Sequence, residues 1–285
     1  MNLFSIIVDG FAKIFFTRDR FLKHACLLTI TGLLSLGSAK CQMISEEIKK
    51  LSQNSNVTSA LQNFDFHSIL GFVIGFVIVG LIIGTFLNGY NLKFIHNSFC
   101  ENSDEVLPNI DLEPYKWFFN ILPLYIVWGL TFVGIALLIK LCFVLPLLGV
   151  LLLIAFAILL IFLKLGMVFM QIKFAKTQDR TGLYNIFNGL SYMKGPVIGW
   201  LLLFGLAFFV LYSVIIFVPT FLIGAFAELA SGLFGFNSEV PLFAGGVIGG
   251  YLGYVFQLLS NYCMVQIYNN FIDVENIPDE TFENN

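Results

Sequence analysis

Residues 69–92 read ILGFVIGFVIVGLIIGTFLNGYNL, without a single charged side chain. A bilayer's hydrocarbon core takes about 20 consecutive apolar residues in a helix, and this stretch supplies them. Residues 117–139, 141–163, 197–217 and 242–267 are comparable runs. Hydrophobic residues make up 58% of the chain and charged residues 12%, about half the charged share of a soluble domain. The expected fold class is therefore all-α, a polytopic transmembrane helix bundle with amphipathic interfacial helices. Residues 1–270 are expected to form a single membrane domain, and 271–285 an acidic, flexible cytoplasmic tail.

A further span is less apolar. Its hydrophobic centre, residues 25–36, follows Arg18, Arg20 and Lys23 and precedes Gly37, Ser38 and Ala39. That order also fits a secretory signal cut after Ala39. The long apolar-periodic approach (Phe4, Ile6, Ile7, Phe11, Ile14, Phe15, Phe16) favours a retained helix, and Lys40 before Cys41 disfavours a lipoprotein signal. Six spans result, at about 21–43, 69–92, 117–139, 141–163, 197–220 and 242–267.

Charge sets the direction. With the N-terminus inside, Lys13, Arg18, Arg20, Lys23, Lys93, Lys116, Lys164, Lys173, Lys176, Arg180 and Lys194 are cytoplasmic. Lys40, Lys49, Lys50 and Lys140 are external, a split of eleven to four that follows the positive-inside bias. Both termini are then cytoplasmic in a multi-pass cell-membrane protein. Lys140 is expected at the outer turn between spans three and four, Pro146 early in span four, and Pro219 at the end of span five. Gly71, Gly75, Gly80 and Gly84, like Gly245, Gly249 and Gly253 with Gly246 and Gly250, recur four apart. Such spacing predicts close helix packing in lipid, with a homodimer face as the alternative.

The even-numbered spans end alike: Asn91-Leu92-Lys93-Phe94, Gln171-Ile172-Lys173-Phe174 and Gln266-Ile267-Tyr268-Asn269. The odd-numbered spans are approached alike, by Val8-Asp9-Gly10-Phe11, Phe119-Asn120-Ile121-Leu122 and Phe187-Asn188-Gly189-Leu190. Three copies of an entry helix plus a helical hairpin would produce this, as would shared composition. Residues 182–195 place Leu183, Ile186, Phe187, Leu190 and Met193 at helical spacing and predict an amphipathic interfacial helix.

Gly89-Tyr90, an acidic stretch, Leu107-Pro108, Asp111 and Trp117-Phe118-Phe119-Asn120 together resemble the signature of the Domain of Unknown Function 4013 family of prokaryotic integral membrane proteins. Asn120-Ile121 departs from the family's glycine, while Phe187-Asn188-Gly189 is similar to it. The resemblance spans about residues 5–270 and implies a polytopic membrane protein without assigning an activity. A weaker likeness is to the membrane domain found beside glycerophosphodiester phosphodiesterases, without their catalytic domain.

Catalysis needs a nucleophile with its base, paired carboxylates or a metal cluster within mutual reach. The spans hold no Asp or Glu, and the three histidines lie in separate segments. Cys26, Cys41, Cys100, Cys142 and Cys263 form no paired spacing. Neither Glu101, Asp104, Glu105, Asp111 and Glu113 nor the tail acids match a cation loop. Asn56-Val57-Thr58 is a glycosylation sequon only for a eukaryotic secretory route. The reading is a nonenzymatic scaffold or accessory subunit without cofactor or metal. Its partners are the lipid bilayer and a membrane protein or second copy; nucleic acid is excluded by the net charge of −3. The alternative is a small-solute or lipid transporter, with Asn88, Asn91, Gln171, Gln257, Asn261 and Gln266 lining a polar cavity.

Overall fold

A computed structural model describes residues 2–17, 19–53, 66–99, 106–142, 146–234 and 239–273. Among them the chain is helical and without strands: α1 (Leu3–Phe15), α2 (Arg20–Gln53), α3 (Phe66–Asn97), α4 (Glu113–Cys142), α5 (Pro146–Thr177), α6 (Gly195–Tyr212), α7 (Val218–Phe234) and α8 (Glu239–Tyr268). A 3₁₀ segment, Ile186–Tyr192, precedes α6; π turns at Ser213–Phe217 and Asn269–Asp273 follow α6 and α8. The sequon, Cys100, Glu101, Asp104, Glu105 and most of the acidic tail fall outside the described residues.

Among the described residues, five stretches are long and apolar enough to cross a membrane: Arg20–Glu46, Ile69–Asn97, Glu113–Lys140, Leu153–Thr177 and Gly195–Phe226. This is a membrane-embedded protein. Helix α8, 30 residues long, covers the sixth expected span and is more apolar over its length than α2. The chain divides into two compact units, residues 1–18, 88–207 and 258–285 in one, and 19–87 and 208–257 in the other.

Several boundaries move. Helix α2 continues unbroken through Ala39 and Lys40 to Gln53. The span expected at 141–163 is a helix from Pro146 to Thr177. Lys164, expected on the cytoplasmic side, lies inside it and is exposed. Proline as first residue needs no N–H there. Lys140 lies in the last turn of α4.

Pro219 does not end the fifth span. It is the second residue of α7, and the chain passes it through a π turn in which the Val218 N–H bonds the Ser213 carbonyl five residues back. The wider turn accommodates a residue that has no N–H and whose ring crowds the preceding turn. Ser213 Oγ bonds the Phe209 carbonyl at 2.9 Å.

In the unit of residues 19–87 and 208–257, the glycines pack differently from their spacing. A Cβ at Gly71, Gly75 or Gly84 would meet nothing within 4 Å. The α3 ladder faces outward, and only 6% of that span's most apolar window is buried. The close approach is instead at Gly37, where a Cβ would collide with the Phe76 ring. On α8, Gly249 lies 3.5 Å from Thr220 but Gly253 meets nothing; Gly250 is the tight position, against Ser35.

Candidate functional site

The other unit concentrates the polar chemistry. Its buried patterns come from the C-terminal ends of α3 and α5, beyond the most apolar stretches. Gly89, Tyr90, Leu92, Phe94 and Ile95 are buried along this end of α3, as are Ile83 and Phe86 in its preceding turns, which belong to the unit of residues 19–87; Leu163, Gly166, Phe169, Met170, Ile172, Phe174 and Ala175 are buried at the corresponding positions of α5. Each set has the same spacing, so the two helix ends present the same face inward. On α8 only Leu258, Val265 and Ile267 keep that register.

The connection into α4 is built on the end of α3. Gly89 lies so close to the Pro114 carbonyl that no Cβ fits, and the neighbouring Tyr90 hydroxyl donates to the Pro108 carbonyl at 3.0 Å. Leu107 is fully buried. Asp111 accepts the Glu113 N–H at 2.8 Å and opens α4 as a side-chain cap. Lys93 pairs with Glu113. The His96 ring lies 4.9 Å from that of Trp117, and its Nδ1 is 2.7 Å from the Ala175 carbonyl. Because a carbonyl only accepts, this contact fixes the Nδ1–H tautomer.

The entry to α6 is built on α5. Residues 182–195 were expected as an amphipathic interfacial helix; the helical part is a 3₁₀ helix, Ile186–Tyr192, and Leu183 in the turn before it is buried with Ile186 and Gly189, three apart. That is the 3₁₀ repeat of three residues per turn, and it turns Phe187 outward. Gly189 crosses Gly166 backbone to backbone, and a Cβ on Gly166 would sit 2.7 Å from the Gly189 carbonyl carbon. Trp128, fully buried, donates Nε1–H to the Leu183 carbonyl at 2.8 Å. The entry helix α1 packs on α8 through side chains instead: Gly10 abuts those of Leu259 and Tyr262, and the Tyr262 hydroxyl donates to Asp9.

Aromatic contacts continue through this layer. Phe169 meets Tyr192 at 6.3 Å, Tyr192 meets Tyr268 at 6.4 Å, and Tyr268 meets Phe99 at 6.3 Å. Lys176 lies over the Phe99 ring and pairs with Asp273. Burial pushes the Tyr192 phenol above its ordinary value. The Thr181 backbone N–H and hydroxyl hold the exposed Asp179 carboxyl below its ordinary value.

The six amides proposed for a polar cavity have unlike environments. Asn88 and Gln257 are exposed; Gln171, Asn261 and Gln266 are half-buried; Asn91 is buried. The Asn91 side-chain oxygen has no partner among the described residues. A cavity of about 340 Å³ lies elsewhere, lined by Trp117, Asn120, Phe174, Gln178, Asp179 and Arg180. Sequence reasoning passed over His96, Trp117, Trp128 and Arg180 as site residues. The available signal was aromatic and polar residues together just beyond an apolar run, where a membrane helix meets water. No protein family, no curated protein and no solved structure matches the chain.

Proposed function

We propose that this membrane protein is a nonenzymatic scaffold or accessory subunit of the cell membrane, with both termini cytoplasmic. The observation that carries the reading is the tied layer. Backbone glycine crossings at Gly89 and Gly166, the seat of Gly10 against the Leu259 and Tyr262 side chains, and buried side-chain bonds from Tyr90 and Trp128 hold helix ends and entry segments together. A transport pathway needs polar or ionisable groups convergent on a water-filled route; here Tyr262 and the Trp128 indole are spent on packing. The helices meanwhile present long apolar faces, including Leu70, Ile74, Val77, Ile78, Leu81 and Ile82 on α3, suited to lipid, a membrane-protein partner or a second copy.

The likeness to the Domain of Unknown Function 4013 family belongs to the same proposal. Its supporting feature is that Gly89-Tyr90, Leu107-Pro108, Asp111 and Trp117, separated along the chain, make up one joint. Proteoliposomes carrying the full chain and screened with labelled amino acids, sugars and short-chain lipids test the function. The scaffold reading expects no saturable uptake or flipping. Saturable uptake abolished by Gln257→Leu would replace it with a transporter.

A further inference from the structure

The geometry points to the cavity between α4 and the end of α5 as a binding site for an anionic phosphate ester bearing hydroxyls, of the kind presented by a phosphatidylglycerol headgroup. Three observations converge on it. The first is its composition: Trp117 and Phe174, with rings 6.5 Å apart, form an aromatic wall, while Asn120, Gln178 and Arg180 supply amides and a guanidinium. Neutral amides match hydroxyls, and a guanidinium matches phosphate oxygens.

The second is what remains uncommitted. Asp9 and Asn188, at the entry positions corresponding to Asn120, bond Tyr262 and the Gly182 carbonyl. Among the described residues Asn120 has no such bond, and it lines the cavity instead. Arg180 likewise has no ion pair among the described residues. The neighbouring carboxylate is engaged, with Asp179 accepting the Thr181 N–H at 2.9 Å and its hydroxyl at 2.7 Å. Asp179 stays ionised beside Arg180 in the lining, where a carboxylate suits the ester's hydroxyls as the guanidinium suits its phosphate.

The third is the backbone. Gln178 closes α5 with φ of 56°, its N–H bonded to the Phe174 carbonyl at 2.7 Å. Glycine or asparagine ordinarily takes this left-handed position. A glutamine there places a long amide at the cavity rim at some conformational cost. The apolar stretches Glu113–Lys140 and Leu153–Thr177 begin and end beside the cavity, and the ends of such stretches, with their aromatic side chains, belong at headgroup level.

The test titrates the full chain in dodecyl maltoside with dioctanoyl phosphatidylglycerol, dioctanoyl phosphatidylcholine and glycerol phosphate, reading tryptophan fluorescence. Saturable binding of phosphatidylglycerol above phosphatidylcholine is expected. Arg180→Gln and Asn120→Leu should each weaken it, the former by about tenfold or more, and Lys140→Gln should leave it unchanged. Equal binding of glycerol phosphate, with the same loss in Arg180→Gln, supports the site and assigns it a soluble ester; binding of the lipid alone assigns it the membrane. No saturable change, parity of the two lipids, or an equal loss in Lys140→Gln overturns the proposal. Both variants change surface-accessible residues, and circular dichroism confirms that they fold.

Discussion

At the scale of single residues, glycine has two opposite uses in this chain. Gly89 and Gly166 lie where backbone meets backbone, and a methyl group would overlap the Pro114 carbonyl or the Gly189 main chain. Backbone cannot rotate away as a side chain can, so the helices must separate. Gly84→Ala, by contrast, adds a methyl with nothing within 4 Å. Overpacking typically costs about 1–3 kcal/mol, and Gly166→Ala and Gly89→Ala should each lower the thermal unfolding midpoint of the detergent-purified protein by several degrees. Gly84→Ala should match the parent or exceed it slightly, since alanine is the better helix former. An equal drop for Gly84→Ala and Gly166→Ala would show that loss of glycine flexibility, rather than the crossing, is what matters.

Among elements, the apolar helices were legible because a bilayer demands length and hydrophobicity, which composition displays directly. Their ends were not. Lys164 suggested a boundary that the helix ignores, and Pro219 suggested a stop that a π turn absorbs. The Leu183, Ile186, Gly189 stripe fits a period of three as readily as one of 3.6 over so short a stretch. The joint at Gly89-Tyr90 and Leu107-Pro108 was visible as a motif, but the contact from Tyr90 to Pro108 and those of His96 and Trp128 join residues far apart in sequence. Helix α8 carries the same lesson in its glycines. Spacing of four is shared by several faces, and the neighbours select among them: Gly250 meets α2 at Ser35, Gly245 and Gly249 meet α7 at Thr220, and Gly253 is open. Gly250→Leu should therefore destabilise the protein while Gly253→Leu is tolerated, as read by thermal unfolding in detergent. The reverse order would place the open face of α8 against another helix.

For the whole molecule, the parity of crossings follows from whether α8 spans the membrane. Among the described residues five helices qualify by length and apolarity, and five crossings would put the two termini on opposite sides. Helix α8 has 30 residues and lies against Ser35 of α2 and Thr220 of α7 at its glycines. Small residues permit such close approach between helices that share a bilayer. Helices α2 and α7 belong to qualifying spans, which argues that α8 crosses beside them and that the total is six. The charge distribution agrees, since six crossings keep ten of fifteen basic residues on one side, with Lys164 inside α5. Reporter fusions decide the matter: a cytoplasm-active reporter at the N-terminus and after Glu283 should be active in both places, and one placed after Glu47 should be silent. Activity at the N-terminus with silence after Glu283 would reduce the crossings to an odd number and take α8 out of the membrane-spanning set.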